Sequence, residues 1–158
     1  MAAGKWKVYD LAKQRLADGT FDMDNAALGL TMALFQSTSN CNTLNVGTGL
    51  YGDLTNEVAS ANGYTTGGIA LTNEVWTNSS GTITFDCDDV TWNASGGSIT
   101  ARFAVIYCNA TVNSIVKPLL CVSLLNTTPA DETATTGNPF TIQINAGGVF
   151  TLSGATVD

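Results

Sequence analysis

Between Ala26 and Leu34 the even positions Ala26, Leu28, Leu30, Met32 and Leu34 alternate with Ala27, Gly29, Thr31 and Ala33. That period of two predicts a strand with one buried face. It returns downstream. Ile83, Phe85 and Cys87 alternate with Thr82, Thr84 and Asp86, and the Asn78-Ser79-Ser80-Gly81 turn before them joins this strand to one ending in Val75-Trp76, predicting a hairpin. At Asp88-Asp89 the parity breaks, because Val90 and Trp92 fall on the positions that were polar before, so a bulge or strand end belongs there. After the turn at 94–98, Ile99, Ala101, Phe103, Val105 and Tyr107 form one face. Ala104 and Ile106 stand on the other, so this strand is expected to be covered on both sides.

Elsewhere the pattern changes character. Trp6, Val8, Tyr9, Leu11, Ala12 and Leu16 recur at spacings of three and four, predicting one short helix over about 6–17 that Asp18-Gly19 stops. A helix of that length is marginal alone and must lie on something. Residues 36–52 hold Ser, Asn, Thr and Gly at almost every step, which predicts a long surface connection. Gly67-Gly68 inside an extended pattern suggests a bulge or tight turn. Pro118 precedes an apolar run over 119–125, the mark of a strand buried centrally or against a partner. Phe140, Ile142 and Ile144 alternate with Thr141, Gln143 and Asn145 before Gly147-Gly148 turns the chain into a last strand over 149–152. Seven or eight short strands with one helix predict a single all-β domain, a β-sandwich of jelly-roll or immunoglobulin-like type with its β body over about 21–154. No internal repeat is visible, which sets aside propellers and solenoids.

The 158 residues are 44% hydrophobic but only 12% charged, so much of the surface must be Thr, Asn, Ser and Gly. Charge is divided unevenly. Residues 1–17 carry Lys5, Lys7, Lys13 and Arg15 against Asp10, a balance of +3, whereas twelve acids against Arg102 and Lys117 leave the remainder at −10. An acidic body repels phosphate backbones and argues against nucleic-acid binding. The basic start suits an acidic neighbour, or is an ordinary solvated helix face. No run of apolar residues is long enough to span a bilayer, and no signal-peptide order opens the chain, so synthesis in a cytoplasm and no membrane partner are expected.

Chemical motifs are few. The string Gly47-Thr48-Gly49-Leu50-Tyr51-Gly52 matches the dinucleotide fingerprint, yet neither a buried strand before it nor a helix start after it is predicted, so a flexible loop and no cofactor are expected. Asp86, Asp88 and Asp89 are candidate calcium ligands in form. An exposed strand end explains them as well, and no metal site is expected. The chain has no histidine, which removes the usual base for a serine or cysteine nucleophile, and no catalytic residue is expected. Cys41, Cys87, Cys108 and Cys121 lack zinc-ligand spacing; they read as buried free thiols or as disulfides within or between chains. The tryptophans and tyrosines read as core, or as a sugar-stacking platform.

Taken in order, the strings LADGTFDMD, LGLTMALF, LTNEVASANGYTTGGIALTN, TFDCDDVTW, SITARFAVIY and FTIQINAGGVFTL resemble a family of small tailed-phage virion proteins. The resemblance runs over nearly the whole chain, through the order and spacing of its strings. It implies a non-enzymatic virion component made in the host cytoplasm, with capsid decoration (cementing) ahead of a tail role. The expected partners are the major capsid protein and further copies of this chain, and Lys5, Trp6, Lys7, Tyr9, Lys13 and Arg15 are the expected capsid contacts, with the loop at 36–52 as the other segment placed to reach the shell. A receptor- or glycan-binding module using loops 36–52 and 126–138 is the alternative. Cys87 and Cys108 depart from the family pattern, where relatives carry non-thiol residues, and so point to a particle-specific crosslink.

Overall fold

The computed structural model describes residues 4–23, 26–126, 128 and 130–153. The fold is all-β and sandwich-like: 41% of the described residues lie in strands and bridges that pair antiparallel in several sheets, with one short α-helix among them. Its largest sheet has five strands, in the order β1 (Lys7–Val8), β11 (Leu119–Leu124), β8 (Phe103–Cys108), β2 (Leu30–Phe35) and β3 (Ile69–Ala70). The other strands form smaller sheets. These include β4 (Val75–Ser79), β5 (Thr82–Asp86) and β14 (Phe150–Ser153) in one sheet, β6 (Val90–Asn93) with β13 (Pro139–Ile142), and β7 (Ile99–Ala101) with β12 (Glu132–Ala134). A small hairpin of β9 (Thr111–Val112) and β10 (Ile115–Val116) stands apart.

The apolar pattern explains which strands are central. All six residues of β2 and of β8 are buried, as are the first five of β11. Register divides their side chains into two faces, with Met32 opposite Ile106 on one and Phe35 opposite Phe103 on the other. Both faces therefore need a cover. Each large apolar side chain removed from water stabilises by roughly 1.5–3 kcal/mol, so these three strands carry a large part of the core.

Several expected features are present. The hairpin of β4 and β5 turns at Ser80-Gly81, both at positive φ, with Ser79 paired to Thr82. Residues 87–89 stand between β5 and β6, where the parity changes. The apolar run after Pro118 is central, held between β1 and β8.

Three features differ. The helix α1 is Asp10–Ala17, shorter than the stripe suggested, because residues 7–8 pair with Val122 and Cys121 as an edge strand instead. Alternation from Ala26 does not make one strand: Ala26–Leu28 is a 3-10 turn, and only Leu30–Phe35 is extended. The strand with one buried face proves to be buried on both: Thr31, Ala33 and Phe35 are buried too, with Glu57 bridging Phe35 and Gly68 lying against Ala33.

Candidate functional site

The 36–68 segment is a folded cover held by two carboxylates. Ser39, Cys41 and Val46 are buried within it. Near its centre Asp53 Oδ2 accepts hydrogen bonds from Thr48 N at 2.7 Å, Thr48 Oγ1 at 3.0 Å and Leu50 N at 3.0 Å. The fingerprint-like loop thus closes on its own side chain, and a Cβ at Gly47 would lie 2.6 Å from the carboxylate carbon. Its amides face Asp53 where a dinucleotide phosphate would need them, and the loop runs into a short 3-10 turn, Tyr51–Asp53, without the helix the motif requires. These hydrogen bonds, led by that from Leu50 N, favour the charged form and hold the Asp53 pKa below its ordinary value.

That depression fixes a sign. A carboxylate whose folded pKa is lowered contributes stability above its unfolded pKa, near 3.9 for Asp, and loses it as pH falls through the lower folded value. The stability gap between the parent and Asp53→Asn should therefore narrow on acidification through that window, followed by urea denaturation at each pH. A gap that stays constant would mean that ionisation of Asp53 does not matter.

Glu57 anchors the cover to the sheet. It bridges Phe35 at the end of β2, so its side chain lies on the Phe35 face. There it accepts from the Tyr51 hydroxyl, from the Tyr64 hydroxyl at 2.7 Å and from Gly67 N at 2.6 Å. Tyr51 stacks on Tyr107 with ring centroids 4.2 Å apart, and Tyr107 donates to Gly67 O at 2.9 Å. The Tyr64 oxygen also accepts from Leu34 N at 3.0 Å. Burial, then the hydrogen bond to Glu57, raises the pKa values of Tyr51 and Tyr64; burial pushes Tyr107 to about 12. All three phenols stay neutral donors at ordinary pH.

The remaining acidic cluster is dispersed among separate tasks. Asp88 Oδ2 accepts from Thr72 Oγ1 and Asn73 Nδ2, Asp89 Oδ1 from Ile144 N, and Asp86 Oδ1 from Cys87 N. No group of three or more His, Cys, Asp or Glu side chains that could hold a metal forms among the described residues. The aromatic residues are built into packing. Trp92 is buried against Tyr64 and Phe140, and half-buried Trp76 meets Phe85 and Phe150.

The six expected contact residues separate into two groups. Tyr9 is 1% exposed and donates to Cys41 O at 2.6 Å. Arg15 is 9% exposed, with Nη1 on Gly49 O at 2.8 Å and Nη2 on Thr48 O at 3.1 Å, so it ties α1 to the cover. Lys5, Lys7 and Lys13 remain exposed, Lys13 pairing with Asp10 at 2.8 Å. Trp6 is half-buried and lines a groove with Val149 and Phe150; its indole N–H, like that of Trp92, is buried without a partner among the described residues. The helical period could not separate these roles, because residues 7–8 form a strand ahead of the helix.

The cysteines match the reading as buried thiols, and no disulfide forms within the chain. Cys41, Cys87, Cys108 and Cys121 are all free and buried. Burial pushes the Cys41 thiol up to about 11 and Cys87 up to about 12, and raises Cys108 and Cys121 as well. Cys108 Sγ instead donates to Leu28 O at 2.9 Å. Apolar periodicity filled these positions with small hydrophobes, and no pair bonds. A thiol reagent should label none of the four in the native protein and all four in denaturant; rapid native labelling of any one would contradict this packing.

No family description, curated protein or solved structure matches the chain in sequence or fold comparison.

Proposed function

We propose that this protein is a structural component of a tailed-phage particle, an auxiliary capsid protein that decorates the shell and stabilises it through protein contacts. The carrying observation is where its reactive side chains are used. Asp53, Glu57 and Arg15 hold the 36–68 cover, and the aspartates at 86–89 hold loops, while the four thiols are buried. That distribution supports a rigid, non-catalytic module, and the order and spacing of the strings between residues 16 and 152 support its place in the virion.

Mechanism in such a role is interface burial. A standard interface buries about 1,600 Å² in total, and repetition around a symmetric shell adds avidity without strong single contacts. The major capsid protein is the proposed partner, reached through the basic N-terminal edge, with Lys5 and Lys7 among the contacts. Imaging intact particles tests this. Copies in proportion to the capsid subunits support decoration, whereas a few copies confined to the tail, or none, would overturn it. Deleting residues 1–17 is a poor probe, because it removes the buried Tyr9 and Ala12 along with the contacts.

A further inference from the structure

Alternation along an extended segment sends every second side chain to the same side. In β1 and the two residues before it, Trp6 and Val8 are half-buried, while Lys5 and Lys7 stay exposed. Gly4 N donates to Leu124 O at 3.1 Å and Lys7 is paired with Val122, so both lysines stand along β11. Val122 and Leu124 share a face with Phe103, the register partner of Leu124. Arg102, between β7 and β8, reaches the same hollow. Lys5, Lys7 and Arg102 therefore rim a groove of about 400 Å³ floored by Phe103, Val122 and Leu124, with Ser37 and Asn42 completing its lining.

The charge of this groove is opposite to that of the molecule. Three of the six cations of a chain with net charge −7 line it, and none of its lining residues is acidic. Arg102 Nε pairs with Asp131 Oδ1 at 2.7 Å, which fixes the guanidinium. Its two Nη atoms, and the Nζ atoms of Lys5 and Lys7, have no partner among the described residues. An uncharged apolar ligand would leave those donors unused. A long polyphosphate chain would have to cross the acidic remainder of the surface, where repulsion opposes it. A short protein segment meets both requirements, with carboxylates for the rim and an apolar side chain for the floor.

The geometry points to this groove as a docking site for an extended acidic segment of a partner protein, one that alternates carboxylate and large apolar side chains. It rests on the shell-binding reading only for which protein supplies the segment. Electrostatic complementarity of this kind sets specificity and encounter rate more than raw affinity, so the complex should weaken as salt rises.

An acetylated, amidated peptide alternating glutamate and leucine provides the test, titrated into the full chain and followed by amide chemical shifts. Shifts are expected at Ser37, Asn42, Arg102, Phe103, Val122 and Leu124, with affinity falling at least tenfold when glutamine replaces glutamate in the peptide. The double variant Lys5→Glu, Lys7→Glu should also weaken binding at least tenfold while leaving the melting temperature near that of the parent; if it fails to fold, Lys5→Gln with Lys7→Gln takes its place. Absence of binding, shifts centred elsewhere, equal binding of the glutamine peptide or indifference to the lysine changes would each overturn the assignment. Equally tight binding of inorganic tripolyphosphate would overturn it too, by marking a general anion site. Particle imaging is independent of these outcomes, so a failed groove and a failed shell reading are distinguishable.

Discussion

Gly68→Ala is expected to destabilise the domain by about 2–5 kcal/mol, a large share of the 5–15 kcal/mol that typical domains possess. Two causes add. Gly68 has φ of 79°, a left-handed conformation that costs an L-residue with a side chain roughly 1–2 kcal/mol. A Cβ there would also land on the carbonyl oxygen of Met32, a backbone atom of β2 that cannot rotate away. Overpacking of that kind adds about 1–3 kcal/mol. Gly19→Ala separates the two causes, for Gly19 has φ of 76° with nothing within 4 Å of its added Cβ, and should cost only the conformational part. Urea denaturation of both variants measures the difference. Equal losses would show that the approach of Gly68 to β2 is not what excludes a side chain.

Glu57→Ala should cost about 2–4 kcal/mol, because it strands three donors: the Tyr51 and Tyr64 hydroxyls and Gly67 N. Partial exposure of Glu57 and Tyr51 lets water replace some of what is lost, which keeps the figure below three full penalties. At about 2–4 °C per kcal/mol for a chain of this size, the melting temperature should fall on the order of 10 °C. Glu57→Gln retains an acceptor oxygen and should lose less. Tyr64→Phe removes both a donor to Glu57 and the acceptor for Leu34 N. Combined with Glu57→Ala it should lose less than the sum of the single changes, since the pair shares one bond. Additive losses would mean that the Glu57–Tyr64 contact carries no energy.

Glu57 itself was not legible in the sequence, and the reason is geometric. Its three donors come from residues 51, 64 and 67, and only closure of the segment onto Phe35 brings them to one carboxylate. Composition described residues 36–52 correctly as a Ser-, Asn- and Gly-rich connection with many exposed positions, but not as a segment that packs its own buried side chains. Those polar residues saturate one another's backbone groups, as Asn40 does by accepting from Thr55 N and donating to Asp53 O. Arg15 was misjudged for a related reason: helical spacing cannot tell a solvated cation from one whose fork meets the carbonyls of Thr48 and Gly49. The groove at Lys5, Lys7 and Arg102 joins residues about a hundred positions apart, and only the pairing of β1, β11 and β8 makes them neighbours.

By itself the sequence determined the all-β class, the β4–β5 hairpin, the parity change at residues 87–89, the central strand after Pro118 and the basic character of the N-terminal segment. Each of these follows from local period, turn chemistry or charge, which act over a few residues. Tertiary structure alone decided that residues 7–8 join a sheet, that both faces of β2 are covered, that the cysteines stay unpaired and that three scattered cations share one apolar floor. Those outcomes depend on which distant backbone edges and side chains meet, and a period along the chain carries no record of that.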